Sequence, residues 1–157
     1  MRKHLIAVLA VAALALPANL AAQNNQGIIT ASANVQAPLN VSVDQGLSFG
    51  TVLPGVNKTV APGDAAAGRL QVAGAGIFQV SLDFGTLPTD LSDGGSNTMP
   101  IVFGAGSAGH GTSSGSVGTT FDPATGANAN LSAGTLWVFL GGQVQPAVDQ
   151  AAGSYNA

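Results

Sequence analysis

In the stretch Ile29-Thr30-Ala31-Ser32-Ala33-Asn34-Val35-Gln36-Ala37-Pro38-Leu39-Asn40-Val41-Ser42-Val43-Asp44, apolar residues occupy every second position without a break. That period of two belongs to an extended strand with one face turned to a core. Fully extended, the stretch would run to about 50 Å, well beyond a strand of ordinary length. Pro38 has no N–H to give to a ladder, so a break, a bend or a change of sheet is expected there. A chain that opens this way needs strand partners, and the remaining sequence supplies them.

Gln45-Gly46 reads as a turn, after which Leu47-Ser48-Phe49 resumes the alternation and Pro54-Gly55 closes it. Lys58 to Ala61 suits a short strand, and Leu70 and Val72 alternate with Arg69 and Gln71. Phe78, Val80, Leu82 and Phe84 point one way, with Gln79, Ser81 and Asp83 opposite, which makes this segment core. Leu87 to Asn97 reads as loop, Met99, Ile101 and Phe103 as a strand, and Gly104 to Gly118 as a flexible loop rich in Gly and Ser. The residues around Phe121 and Leu131 read as further turns. Leu136-Trp137-Val138-Phe139-Leu140 is apolar on both faces and should be a central strand covered on each side. Gly141-Gly142 then turns the chain into Gln143-Val144-Gln145. Short strands between turns, with no long amphipathic helix, predict an all-β antiparallel sandwich forming a single domain over residues 23–157.

Residues 1–22 read differently. Arg2, Lys3 and His4 precede the apolar run Leu5 to Leu16, followed by Pro17 and the small-residue exit Leu20-Ala21-Ala22. This is the pattern of a secretory signal peptide cleaved after Ala22, too short to span a bilayer. It predicts export through the Sec pathway to the periplasm, cell surface or exterior, with no membrane span in the mature chain. Beyond this leader only Lys58 and Arg69 oppose the seven acidic residues, all aspartates, for a formal charge of −5. So acidic a chain argues against nucleic acid and anionic membrane as partners. Cysteine is absent, leaving an exported domain to rely on its core and strand pairing.

Chemical motifs are few. Gly104-Ala105-Gly106-Ser107-Ala108-Gly109 matches a dinucleotide fingerprint, but that motif needs a helix at its last glycine, and His110-Gly111-Thr112-Ser113-Ser114-Gly115 forms helix poorly. Gly111 to Gly115 also matches the hydrolase elbow; His110, however, precedes Ser113, the reverse of the order that architecture uses. Asp90 to Asn97 offers oxygen ligands of the kind calcium prefers, without EF-hand spacing, and turn chemistry explains the same residues. Trp137 and Tyr155 could form a sugar platform, against which stands the core character of the Trp137 strand. No catalytic residue, metal site or cofactor is expected.

Leu39-Asn40-Val41-Ser42-Val43, followed by Leu47 to Gly55, resembles the opening of the DUF4402 family of exported bacterial proteins. Met99-Pro100-Ile101, Leu136 to Gly142 and Gly153-Ser154-Tyr155 are similar to its later landmarks. The resemblance implies an immunoglobulin-like, pilin-like sandwich akin to fimbrial subunits and to secreted domains of the spore coat protein U type. Members usually continue past the Gly-x-Tyr landmark into a last apolar strand, where this sequence has only Asn156 and Ala157. Either the sequence is a fragment, or the sandwich lacks a strand and leaves a groove.

The first functional reading is therefore a non-catalytic structural or adhesive surface subunit assembling by strand addition with copies of itself or related subunits. Ile29, Ala31, Ala33 and Val35 are the candidate donor residues; the competing use of the same residues is as the domain's own first strand. The second reading is a monomeric extracellular binding module, for glycans or another surface ligand, working through loops 86–98 and 104–118. An exported hydrolase is the third.

Overall fold

The computed structural model describes residues 38–157, and all of the regular structure in them is β. Eleven strands follow one another: β1 (Asn40–Gln45), β2 (Lys58–Val60), β3 (Gly68–Ala73), β4 (Gln79–Leu82), β5 (Asp90–Ser92), β6 (Thr98–Val102), β7 (Ala108–Gly111), β8 (Thr119–Phe121), β9 (Ala127–Asn130), β10 (Thr135–Leu140) and β11 (Gly142–Val144). They form a five-stranded sheet in the order β1-β3-β10-β7-β8, a four-stranded sheet β2-β11-β6-β5 and a two-stranded ribbon β4-β9. Every pairing is antiparallel, the arrangement of a β-sandwich.

Two clusters of apolar side chains hold the layers. Val72, Leu136 and Val138 on the five-stranded sheet pack with Val80, Leu82, Ala129 and Leu131 from the β4–β9 ribbon, flanked by Leu70, Phe78, Phe84 and Phe121. Met99, Ile101 and Val144 on the four-stranded sheet form the second cluster, with Leu47, Phe49, Val52, Leu91, Phe103 and Tyr155 against them. As expected from its sequence, β10 is a central strand, and Leu136, Val138 and Phe139 are buried from its two faces.

β10 and β11 are one run of chain broken only at Gly141, yet they belong to different sheets. Glycine is required at the crossing, because a Cβ there would collide with the Val60 carbonyl oxygen. At the other end of β10, Ala133 (φ 51°) and Gly134 (φ 79°) form a two-residue turn closed by hydrogen bonds both ways between Ser132 and Thr135. Two positive φ values in succession mark a type I′ hairpin turn.

Four expectations need correction. Leu39, Val41 and Val43 were expected on a buried face, but they are 45%, 60% and 74% exposed. β1 is the edge of its sheet, and Val41 and Val43 sit opposite Val72 and Leu70, hence on the core side of the sheet. Among the described residues nothing covers that side at β1, so the alternation is real and its burial is not. The second correction concerns residues 104–118, read as a flexible loop. Ala108–Gly111 is instead an inner strand with Ala108, Gly109 and Gly111 buried. Its glycines make room: a Cβ on Gly109 would lie 2.6 Å from Val117 Cγ1, and one on Gly111 would strike the Ser116 carbonyl. Third, residues 86–98 contain β5, which pairs Asp90 to Ser92 with Thr98 to Pro100. Fourth, β8 and β9 fall where only turns were expected.

A β-bulge between Val43 and Gln45 turns consecutive side chains toward Arg69. Asp44 Oδ2 lies 3.0 Å from Arg69 Nε without an aligned hydrogen bond, while Arg69 Nη2 donates to Gln45 Oε1 at 2.8 Å and Nη1 to the Ser114 carbonyl at 3.3 Å. The ion pair is exposed enough to be worth little; the hydrogen bonds fix the edge strand's end.

Candidate functional site

The four-stranded sheet has a clear inner face. Met99 and Ile101 point in from β6 while Thr98, Pro100 and Val102 point out, and Val144 of β11 is fully buried beside Ile101. Across from them Leu47 and Phe49 are half-buried, and Gly46, Ser48 and Gly50 between them are exposed. The period of two at 47–49 therefore places side chains as a strand would. Among the described residues, however, Leu47 to Val52 joins no ladder, and its nearest main-chain tie is Ser48 N–H to the Ala66 carbonyl at 3.0 Å.

Between this unladdered wall and the sheet lies an open cleft of about 850 Å³, with Phe49, Leu91, Met99, Ile101, Phe103 and Tyr155 among its lining. Among the described residues no Asp, Glu, His, Lys or Arg side chain lines it. Two of its polar side chains are already engaged with each other. Tyr155 Oη donates to the Ala151 carbonyl and accepts from Gln150 Nε2, both at 2.8 Å. Lys58 steadies the wall from outside, its Nζ donating to the Thr51 carbonyl at 3.0 Å. A cleft of this size could take several apolar side chains. Its chemistry suits a neutral, extended apolar segment: it offers main-chain groups on one wall and apolar surface on the other.

Of the described residues singled out from sequence, Tyr155 lines the cleft, while Asp93, Gly104 to Gly115 and Trp137 do not. Ile29, Ala31, Ala33 and Val35 lie outside the described residues, as does the segment read as a signal peptide. Gly104 to Ser107 closes a tight turn, with Ser107 N–H on the Gly104 carbonyl at 2.9 Å, and β7 follows it where a dinucleotide site needs a helix. His110 lies on β7 opposite Val138, its ring 6.1 Å from that of Phe121, and burial pushes its pKa down. No hydrogen bond joins His110 to Ser113 among the described residues; Ser113 instead pairs with Ser116 in a turn.

Asp93 spends its carboxylate on its own loop. It accepts from Asn97 Nδ2 at 2.6 Å, from Gly95 N–H at 2.8 Å and from Asn97 N–H at 3.3 Å. The Asn97 side chain above all, then the Gly95 amide, holds its pKa below the usual carboxylate value. No group of three His, Cys, Asp or Glu side chains among the described residues could hold a metal ion. Nor is any helix there long and apolar enough to cross a membrane. Trp137 is half-buried on β10, while Tyr155 belongs to the cleft cluster, so the two do not form one platform.

Sequence reading found Met99, Ile101 and Phe103 but not their gathering with Leu47, Phe49 and Leu91 around an open space. The signal was the alternation at 47–49; that the segment would stand without a ladder is decided by tertiary placement. No family model, curated protein or solved structure matches the chain.

Proposed function

We propose that the chain is an exported, non-catalytic structural or adhesive subunit of the cell surface, a pilin-like, immunoglobulin-like sandwich that assembles by β-strand addition. The cleft is the observation that carries this reading. It presents apolar side chains on the inner face of one sheet and an extended wall without a ladder opposite, the two things an added strand uses. The donor is the alternating segment Ile29, Ala31, Ala33 and Val35. Charge supports the match, since among the described residues no charged side chain lines the cleft and none occurs in the sequence between Gln23 and Val43. The leader-like start and the resemblance to exported surface proteins agree with it, and no cofactor is called for.

The test is association of the secreted protein by sedimentation velocity across a hundredfold concentration range, with and without residues 23–36. Concentration-dependent oligomers that vanish on deletion are expected. A monomer at every concentration in both forms would refute the reading.

The loop-based binding module is less well supported. Its two loops are interrupted by β5 and β7, and the buried backbone of β7 is not free to contact a ligand.

A further inference from the structure

The geometry points to a second binding site, on the outer face of the five-stranded sheet, where Trp137 and Gln71 form a platform for a neutral oligosaccharide. This site shares no residue with the cleft and does not depend on strand addition. Strand register defines it. Val72, Leu136 and Val138 face the core, so the residues alternating with them on β3 and β10 face outward. Ser42, Gln71, Trp137 and Gly111 lie directly opposite one another across β1, β3, β10 and β7, and Asn40, Ala73 and Thr135 form the adjoining row. Trp137 is only half-buried, so part of an indole meets solvent in the middle of a sheet. Ala73 leaves low ground diagonally beside it, and the other neighbours in the two rows are uncharged hydrogen-bonding side chains. Among the described residues the half-buried Gln71 carboxamide bonds to nothing, while Gln45 and Arg69 in the next row bond to each other.

A wall closes one side of the platform. The chain after β7 folds back over the outer face, where the Ser116 carbonyl takes the place a Cβ on Gly111 would need and Val117 packs over Gly109. Arg69 pins this loop from β3 by donating to the Ser114 carbonyl at 3.3 Å. Phe139, opposite Gly109, is thereby covered and only 3% exposed. The same strand thus carries one aromatic beneath the loop and one beside its rim, and cover accounts for the first alone. The negative face of an indole suits the weakly positive C–H groups on one side of a pyranose ring, and a carboxamide with nearby hydroxyls suits the ring's hydroxyls. Asp44 and Arg69, the charges nearest the platform, lie 3.0 Å apart and offset each other, so the ligand that fits is neutral. From Ser42 to Gly111 the row crosses three strand spacings, about 14 Å, which is room for a short oligosaccharide.

The probe is a printed array of neutral and acidic glycans read with the secreted protein, each neutral hit then being titrated against the emission of Trp137, the sole tryptophan. A neutral glycan should bind and shift that emission saturably. Gln71→Ala should bind the same glycan about fivefold more weakly, as loss of one hydrogen bond implies, with unchanged circular dichroism. Trp137→Leu, followed by calorimetry, should bind it about tenfold more weakly. Should Trp137→Leu fail to fold, the emission shift and Gln71→Ala still decide. Absence of any neutral hit, binding of acidic glycans alone, or neutral hits that leave the Trp137 emission unmoved would overturn the platform, and full affinity in Gln71→Ala would remove Gln71 from it. Self-association is read separately by sedimentation, so failure here leaves the strand-addition reading untouched.

Discussion

Val43, Leu70, Val138 and His110 lie in one transverse row across β1, β3, β10 and β7, directly opposite one another and so on the same face of the sheet. Val138 is 3% exposed and Val43 is 74% exposed. Replacing each valine in turn by threonine keeps shape, volume and β-branching, so the comparison reads cover alone. At Val138 the hydroxyl would enter the cluster of Val72, Val80, Leu82 and Leu136. Losing a buried methyl costs about 0.8 kcal/mol and stranding a hydroxyl about 1–3 kcal/mol more, so a loss of about 2–4 kcal/mol is expected. At Val43 the hydroxyl stays in water and the change should stay within about 0.5 kcal/mol. Urea unfolding followed by the fluorescence of Trp137, the sole tryptophan, measures both. The m-value should be unchanged, and the Val138→Thr midpoint should correspond to a Tm lower by about 5–10 °C. If Val43→Thr lost more than about 1 kcal/mol, the core side of β1 would be covered in solution, and the edge assignment would be wrong.

Other outcomes follow from single sites. Gly141→Ala places a Cβ against the Val60 carbonyl, backbone against backbone, and should leave little soluble protein; recovery of native-like circular dichroism would refute the crossing geometry. Ala133→Asn, in a turn position that favours asparagine, should stabilise by about 0.5–1 kcal/mol in the same urea assay. Burial holds the His110 pKa in the folded state below the ordinary imidazole value of about 6.5. The unfolded chain therefore binds the proton more readily, so the stability this group contributes is present above about pH 6.5 and is lost as pH falls through the depressed folded value. His110→Gln should flatten that dependence, and a titrating chemical shift at or above 6.5 in the folded protein would contradict it. For Asp93 the depressed pKa means its contribution is present above the ordinary carboxylate value and is lost as pH falls below it. Asn97→Ala, which removes the main cause, should move the Asp93 titration upward by NMR.

How far the sequence discloses this fold depends on what keeps each strand in place. β4, β6 and β10 are held by side chains: Val80 and Leu82, Met99 and Ile101, and Leu136 with Val138 contrast with their neighbours, and their strands were read correctly. β7 is Ala-Gly-His-Gly and β9 is Ala-Asn-Ala-Asn. Their places are set by backbone crowding and by the partner strand, neither of which leaves an apolar period. β1 fails in the other direction, since its period is strong but a period states only which side chains share a face. Whether another layer lies over that face depends on residues far along the chain. The cleft is unreadable for the same reason: Leu47, Leu91, Met99 and Tyr155 are spread over more than a hundred positions and meet only after the sheets form.

The passage of the backbone through Gly141 has a mechanical consequence. Thr135 to Val144 is one covalent cable threaded through both sheets. A pull delivered to β5, the outer strand of its sheet, would travel through β6 to β11 and then along peptide bonds into β10, the middle of the five-stranded sheet. Tension would thus load ladders in shear on both sides, without having to peel one layer from the other.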